Sequence, residues 1–306
     1  MAYTERYVSA LAAEGGDGSV GSPWTFTESV TAVTNGMRIN VKADGDYTIV
    51  GGDAAYAWVD VTRCGTPALP VMWRGYGTTI GDGVKAKLVN ETGGTVKYLA
   101  VTGDVNSRYN LVIKDFEVAF EGATGNKGVV DALEGAVFIN CKFTQTNVSS
   151  ENQVLAISGQ RSVFLSCEFV CLNTGSASGA CANFGQFYHG CLFQCAKSLF
   201  TLMSGTYAQA FTRNVCVCTT SGNSAMLSAS STEAGGDATR PTLFANNVFV
   251  GFNGGLVFKG DTAPSGIWMN NIFASATNGV VLTNDLASNT DHALIFLGNR
   301  YYNVTN

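Results

Sequence analysis

The sequence predicts an all-β solenoid, a chain wound into stacked coils of short strands with one short helix ahead of them. Three observations predict it. The heptapeptide Phe244-Ala245-Asn246-Asn247-Val248-Phe249-Val250 has a near-copy, Trp268-Met269-Asn270-Asn271-Ile272-Phe273-Ala274, 24 residues later. Degraded copies recur along the second half of the chain, and repeats of this length holding two or three short strands mark solenoids. The composition agrees: only 13% of the 306 residues are charged, about half the usual share, while 36 are glycine.

In chain order, Arg6-Tyr7-Val8-Ser9 reads as a short strand, followed by the loop Gly15-Gly16-Asp17-Gly18-Ser19-Val20-Gly21. Residues 1–21 thus form an N-terminal strand and Gly-rich loop, and 22–306 the solenoid domain. The loop reads as a surface turn, because no Lys-Ser/Thr follows it to hold phosphate. A helix is expected over about 23–35. Ser22-Pro23 sets a start, Thr25 and Glu28 have capping-box spacing, and Gly36 supplies a stop. Trp24, Phe26, Val30 and Val33 give it an apolar face, which the open end of a strand stack would bury. From residue 37 the period is two. Short strands are expected around Arg38–Val41, Tyr47–Val50, Trp58–Val61, Val71–Gly75, Ala86–Val89, Tyr98–Val101 and Leu111–Ile113, separated by turn residues.

The later repeats align on one column: Asp115, Cys141, Cys167, Cys191, Asn214, Asn247, Asn271 and Asn299. Asp115 fits this register least well. Two residues on lie Phe143, Phe169, Phe193, Cys216, Phe249, Phe273 and Tyr301; four on lie Gln145, Cys171, Cys195, Cys218, Gly251, Ser275 and Asn303. In a strand, i, i+2 and i+4 share a face, so like residues would stack inward from coil to coil. A further strand precedes each: Gly128–Val130, Val154–Ile157, Ala180–Ala182, Leu199–Leu202, Ala225–Leu227, Leu256–Phe258 and Val280–Leu282. The long step between Asn214 and Asn247 marks an insertion around 228–241, expected as a projecting loop.

The two Asn-Asn-aliphatic-Phe turns, their 24-residue spacing and the helix before the first coil resemble the right-handed parallel β-helix of the pectate lyase-like superfamily. The resemblance spans residues 22–303 and implies a single-stranded β-helix capped by the helix. An inward Asn at the turn would tolerate a left-handed backbone and bond to its neighbours above and below. Cysteine, small and commonly buried, would fill the same slot in Cys141, Cys167 and Cys191. Packing is the expected role of the thiols, with metal or redox chemistry as the alternative reading.

The opening Arg6-Tyr7-Val8-Ser9, the segment Gly21-Ser22-Pro23-Trp24-Thr25 and Pro70-Val71-Met72-Trp73-Arg74-Gly75-Tyr76 also look like the start of tailed-bacteriophage β-helix proteins. That implies a non-enzymatic structural protein of the virion, such as a capsid decoration, assembled in the host cytoplasm. Its expected partners are other capsid or tail proteins, copies of itself in a homo-oligomer such as a trimer, and a host-surface glycan. The alternative is a tailspike-type polysaccharide lyase or hydrolase, or a carbohydrate-binding adhesin.

No basic run supports nucleic-acid binding at a net charge of −5. No signal peptide, membrane span, zinc pattern or cofactor motif is visible. Lyases of this fold use acidic calcium ligands, and no matching cluster occurs. Asn289-Thr290-Asp291-His292 and His189-Gly190 echo polygalacturonase motifs out of order, with no Asp-Asp pair. The remaining candidates are Glu233, Asp237 and Arg240 on the inserted loop, with Asp261 and Asp285 after other strands. No catalytic residue is assigned. Tyr188, Tyr207 and Trp268 are a sugar platform, part of the core, or a subunit contact.

Overall fold

Strands three to eight residues long cannot bury both faces alone; they are stable only when like residues of the next coil cover them. The computed structural model describes residues 3–49, 65–90, 110–120, 135–145, 162–172, 180–182, 187–196, 198–200, 210–219, 242–252, 256–258, 266–274, 280–282 and 294–303. It forms two compact units, Met1–Asn147 with Ile157–Glu168, and Val148–Ala156 with Phe169–Asn306. Strands expected at 58–61, 98–101, 128–130, 154–157 and 225–227 lie outside the described residues.

In the first unit, Thr4–Val8, Met37–Lys42, Leu69–Tyr76, Leu111–Lys114, Val137–Ile139 and Val163–Leu165 stack in that order as one parallel sheet. A second parallel sheet runs Asp46–Ile49, Ala86–Asn90, Phe116–Phe120, Lys142–Gln145. One inward column is Ile39, Trp73, Ile113, Phe138 and Phe164, each in register with the next and all buried. Phe138 and Phe164 stack with centroids 4.8 Å apart, and Phe143 of the second sheet meets Phe138 edge-on at 5.7 Å. Those distances are the preferred aromatic geometries.

The helix spans Phe26–Ala32, shorter at both ends than expected. Thr25 is the N-cap with extended backbone, and its side chain and that of Glu28 form the reciprocal capping box. Pro23 therefore precedes the cap instead of opening the helix. Val33 turns extended and ends the helix. Gly36, at φ +75°, serves the turn into Met37–Lys42, its N–H bonded to Leu69 O at 3.2 Å. Phe26 packs 5.4 Å from Tyr47 and 5.9 Å from Trp73. The helix thus covers interior side chains of both sheets, as an end cap must.

In the second unit, Phe187–His189, Ala210–Thr212, Thr242–Ala245, Gly266–Met269 and Leu294–Leu297 form one parallel sheet. Glu168–Cys171, Leu192–Cys195, Val215–Cys218, Val248–Val250, Ile272–Ala274 and Arg300–Tyr302 form another. Ala180–Ala182 pairs with Ser198–Phe200, and Leu256–Phe258 with Val280–Leu282, both parallel. Where the third-sheet pairs are described, a coil holds three strands, including the three- or four-residue strand just before each ladder residue. The inward columns are Tyr188, Phe211, Phe244, Trp268, Phe296 and Phe193, Cys216, Phe249, Phe273, Tyr301.

Two expectations about the turn are corrected. The left-handed residue is the one before the ladder residue: Asn140, Ser166, Gly190, Arg213, Asn246, Asn270 and Gly298 all have φ between 50° and 65°. In each Asn-Asn pair the first, exposed Asn makes the turn and the second points inward. Asp115 also has φ 58°, and Lys142 pairs with Glu117. It therefore aligns with Asn140, and Phe116, not Asp115, stands opposite Cys141. Asn140 Nδ2 donates to Asp115 Oδ1 at 2.7 Å, so this turn has a small side-chain ladder of its own.

Candidate functional site

In the second unit the carboxamide oxygens of Asn247, Asn271 and Asn299 each receive two donors from the preceding rung. Asn247 Oδ1 accepts from Asn214 N at 2.9 Å and Nδ2 at 3.1 Å. Asn271 Oδ1 accepts from Asn247 N and Nδ2, and Asn299 Oδ1 from Asn271 N and Nδ2, all within 3.0 Å. The second Nδ2 hydrogen goes to a carbonyl one coil back: Tyr188 from Asn214, Phe211 from Asn247, Phe244 from Asn271, Trp268 from Asn299. In the first unit the thiols of Cys141 and Cys167 reach the equivalent carbonyls, Ile113 at 3.5 Å and Phe138 at 3.6 Å. Thiol and carboxamide thus occupy one slot. Cys191 joins the two chemistries: its N–H donates to Asn214 Oδ1 at 2.8 Å. Among the described residues seven cysteines are free thiols, six of them buried, and burial pushes the Cys216 thiol well up. Apart from the half-buried Cys218 and Asn299, these side chains are shielded from solvent.

The sequence left Tyr188 and Trp268 as surface or core, and both are buried in the aromatic stack. Trp268 lies 3.8 Å from Phe244, centroid to centroid. His189 is exposed, with Nδ1 2.8 Å from Thr212 Oγ1. Glu233, Asp237, Arg240, Asp261, Asp285, Tyr207 and Asn289–His292 lie outside the described residues. Among the described residues no group of three His, Cys, Asp or Glu is placed to hold a metal ion.

A site the sequence did not single out lies on the outer face of the first unit. Alternation that turns Ile39, Val41, Val71 and Trp73 inward turns Asn40, Lys42, Arg74 and Tyr76 outward. Register then brings Tyr7 beside Asn40, Asn40 beside Arg74, and Lys42 beside Tyr76. Glu5 bonds Arg74 at 2.8 Å, Asn40 at 2.9 Å and Arg38 at 3.4 Å. Arg74 Nε also donates to Asn40 Oδ1, and Arg38 lies 4.0 Å over the Tyr3 ring.

Adjoining this cluster is a cleft of about 560 Å³ with Tyr7, Lys42 and Tyr76 beside Ser9, Thr78 and Thr79. Asp44 sits behind it, accepting from Ser9 Oγ at 2.6 Å and Ala10 N at 2.9 Å, with Lys42 Nζ 3.6 Å away. Burial first, then the charge of Asp44 and the Tyr7 phenol, push the Tyr76 phenol above its ordinary value. Tyr76 is therefore a neutral hydroxyl donor at physiological pH. Two aromatic rings, an ammonium and several hydroxyls suit a polar ring-bearing ligand held by stacking and hydrogen bonds.

One wall of the cleft is the loop at 77–84, and Asp82 organises it. Its carboxylate accepts from the N–H groups of Thr79, Val84, Gly77 and Thr78, at 2.9–3.2 Å. These bonds, that from Thr79 foremost, hold its pKa at about 2 instead of 3.8. A carboxylate favoured in the folded state steadies the loop above its ordinary pKa and releases it as pH falls through the folded one. The protection factors of the amides at 77–84 are expected to be constant from neutrality to about pH 4 and to fall relative to those of the neighbouring strands as pH approaches 2. Asp82→Ala should show the low protection at every pH.

No family model matches this sequence, and no curated protein is similar to it at a significant level. Solved structures are similar. Pectate lyase Pel9A matches with a TM-score of 0.61 at 14% identity, over 100% of this chain and 77% of that one. A PL6 family alginate lyase, AlyGC, matches at 0.65 and 12%, over 98% of this chain and 39% of that one. A rhamnogalacturonan lyase matches at 0.52 and 13%, over 99% and 75%. At such identities the likeness is one of fold. The chain has the right-handed parallel β-helix architecture of pectate lyase-like proteins.

Proposed function

We propose that this chain is a non-enzymatic structural protein of a bacteriophage virion, a capsid decoration or other surface-attached β-helix protein. The observation that supports the non-enzymatic part is that several of the described carboxylates are already engaged. Glu5 is held by Arg38 and Arg74, and Glu28 closes the helix cap. Asp44 anchors Ser9, Asp82 holds its loop, and Asp115 bonds Asn140. Carboxylates fixed in this way are unsuited to the paired acid and base work of glycoside cleavage. The phage part rests on the resemblance of the Arg6–Ser9, Gly21–Thr25 and Pro70–Tyr76 segments. In this reading the chain assembles in the host cytoplasm as a homo-oligomer, such as a trimer, on capsid or tail proteins. Antibody against the recombinant chain, applied to virions purified from the source, tests it. Stoichiometric labelling at one location is expected, and its absence from purified particles sinks the reading.

A second reading, a carbohydrate-binding adhesin or tailspike-type lyase or hydrolase, is favoured by the Tyr7–Lys42–Tyr76 cleft. Binding to a bacterial surface glycan on an array is then expected to weaken about fivefold or more in Tyr76→Ala, since lost stacking costs about 1 kcal/mol or more. New reducing ends or unsaturated products would mark cleavage; undiminished binding by Tyr76→Ala would remove the cleft from consideration.

A further inference from the structure

We infer that the cleft beside Tyr76 selects sugars that carry a methyl group, which seats against the tips of two loops of the first unit. The inference rests on the glycan-binding reading above and adds which glycan. Besides its aromatic and polar surfaces, the cleft is lined by Val20, Pro23 and Ile80. Val20 and Ile80 lie in tight turns of one pattern, an apolar residue followed by glycine. Ser19-Val20-Gly21-Ser22 is closed by Ser22 N donating to Ser19 O at 3.3 Å, and Thr79-Ile80-Gly81-Asp82 by Asp82 N donating to Thr79 O at 3.0 Å. Such turns are dominated by Gly, Pro, Asn, Asp and Ser. A β-branched apolar side chain there leaves its surface in water, a cost that no core contact offsets. Val20 is 74% exposed, so it adds almost nothing to the core. Two such residues, from loops far apart in the chain, open on one cavity.

Each turn is fixed from within by a carboxylate. Asp17 Oδ1 accepts from Ser19 N at 2.8 Å, and Ser19 Oγ in turn accepts from Ser22 N at 3.2 Å. Asp82 gathers the amides of its own loop, Thr78 N at 2.9 Å and Thr79 N at 3.1 Å among them. Loops held in this way need little further ordering when a ligand arrives, which favours binding.

The lining divides the ligand into two parts. Tyr7, Tyr76 and Lys42 offer ring faces and hydrogen bonds, which suit the sugar ring and its hydroxyls. The side chains of Val20, Pro23 and Ile80 have no donor or acceptor to offer. A hydroxymethyl group set against them gives up hydrogen bonds to water and gains none, whereas a methyl group gains by leaving water. The methyl of a 6-deoxy sugar and that of an N-acetyl group share this chemistry.

The full chain is titrated with matched glycan pairs: L-rhamnose- against L-mannose-terminated, L-fucose- against L-galactose-terminated, and N-acetylglucosamine- against glucose-terminated. The methyl-bearing member of a pair is expected to bind about fourfold more tightly or better, the gain from withdrawing one methyl group from water. A preference in the first two pairs marks a 6-deoxy sugar, and in the third an acetyl group. Val20→Ser and Ile80→Ser should each bring that ratio below about twofold. Val20→Ser, at an exposed turn tip, keeps the thermal midpoint within a few degrees and covers the case in which Ile80→Ser loosens its loop. Glycans bound with no preference in any pair overturn the inference and leave the glycan reading standing. A preference that survives both serine variants also overturns it, because the methyl group then sits elsewhere. No glycan bound at all overturns both.

Discussion

Asn247→Asp is expected to lower stability by about 3–5 kcal/mol, the cost of leaving an uncompensated charge buried. Asn247 is fully buried. Its Nδ2 donates to Phe211 O at 2.7 Å and to Asn271 Oδ1 at 2.9 Å. Aspartate removes both donors and sets carboxylate oxygen against two acceptors. Asn247→Cys should cost less, about 1–3 kcal/mol. The thiol can still donate to Phe211 O, as Cys167 does to Phe138 O, but Asn214 then loses the acceptor for its N–H and Nδ2. Urea unfolding monitored by tryptophan fluorescence would give the order. Equal stability of the Asp and Cys variants would contradict the hydrogen-bond account of the ladder.

The second large effect is at Gly75. A Cβ there would fall 2.0 Å from Asp115 O and 2.7 Å from Ala86 N. Both are backbone atoms, so no side chain can swing aside. They also bond each other at 3.1 Å, tying one coil to the next at the corner. Gly75→Ala is expected to destabilise by about 2–4 kcal/mol, overpacking plus a weakened buried hydrogen bond. Gly21 has open space around the same position, so Gly21→Ala should stay within about 0.5 kcal/mol of wild type. Comparable losses in the two variants would mean that glycine flexibility, not the close approach of coils, is what the chain requires.

The architecture was legible because stacking copies a residue's surroundings from one coil to the next. A repeated Asn-Asn-aliphatic-Phe therefore announces both the turn and the inward face. The capping box at Thr25 and Glu28 was legible for a similar reason, since a local hydrogen-bond pattern has a local spacing. The division of labour within each Asn pair was not, because one residue type does two jobs. Asp115 misled for the opposite reason: it makes the turn without an Asn or Cys after it, and Phe116 takes the inward slot. Tyr188 and Trp268 stayed ambiguous because three- and four-residue strands are too short to show which face is buried. The cleft was invisible. Tyr7, Lys42 and Tyr76 come from three early coils with no repeated motif, and only the pairing register brings them together.

Neighbouring rungs act as one hydrogen-bonded ladder, each carboxamide completing the one before it. A double-mutant cycle between Asn247→Ala and Asn271→Ala tests this most directly. Their direct bonds, at 2.9 and 3.0 Å, predict a coupling of about 1 kcal/mol or more between the two substitutions. Strictly additive losses, within about 0.3 kcal/mol, would contradict it and leave the asparagines as independent packing residues.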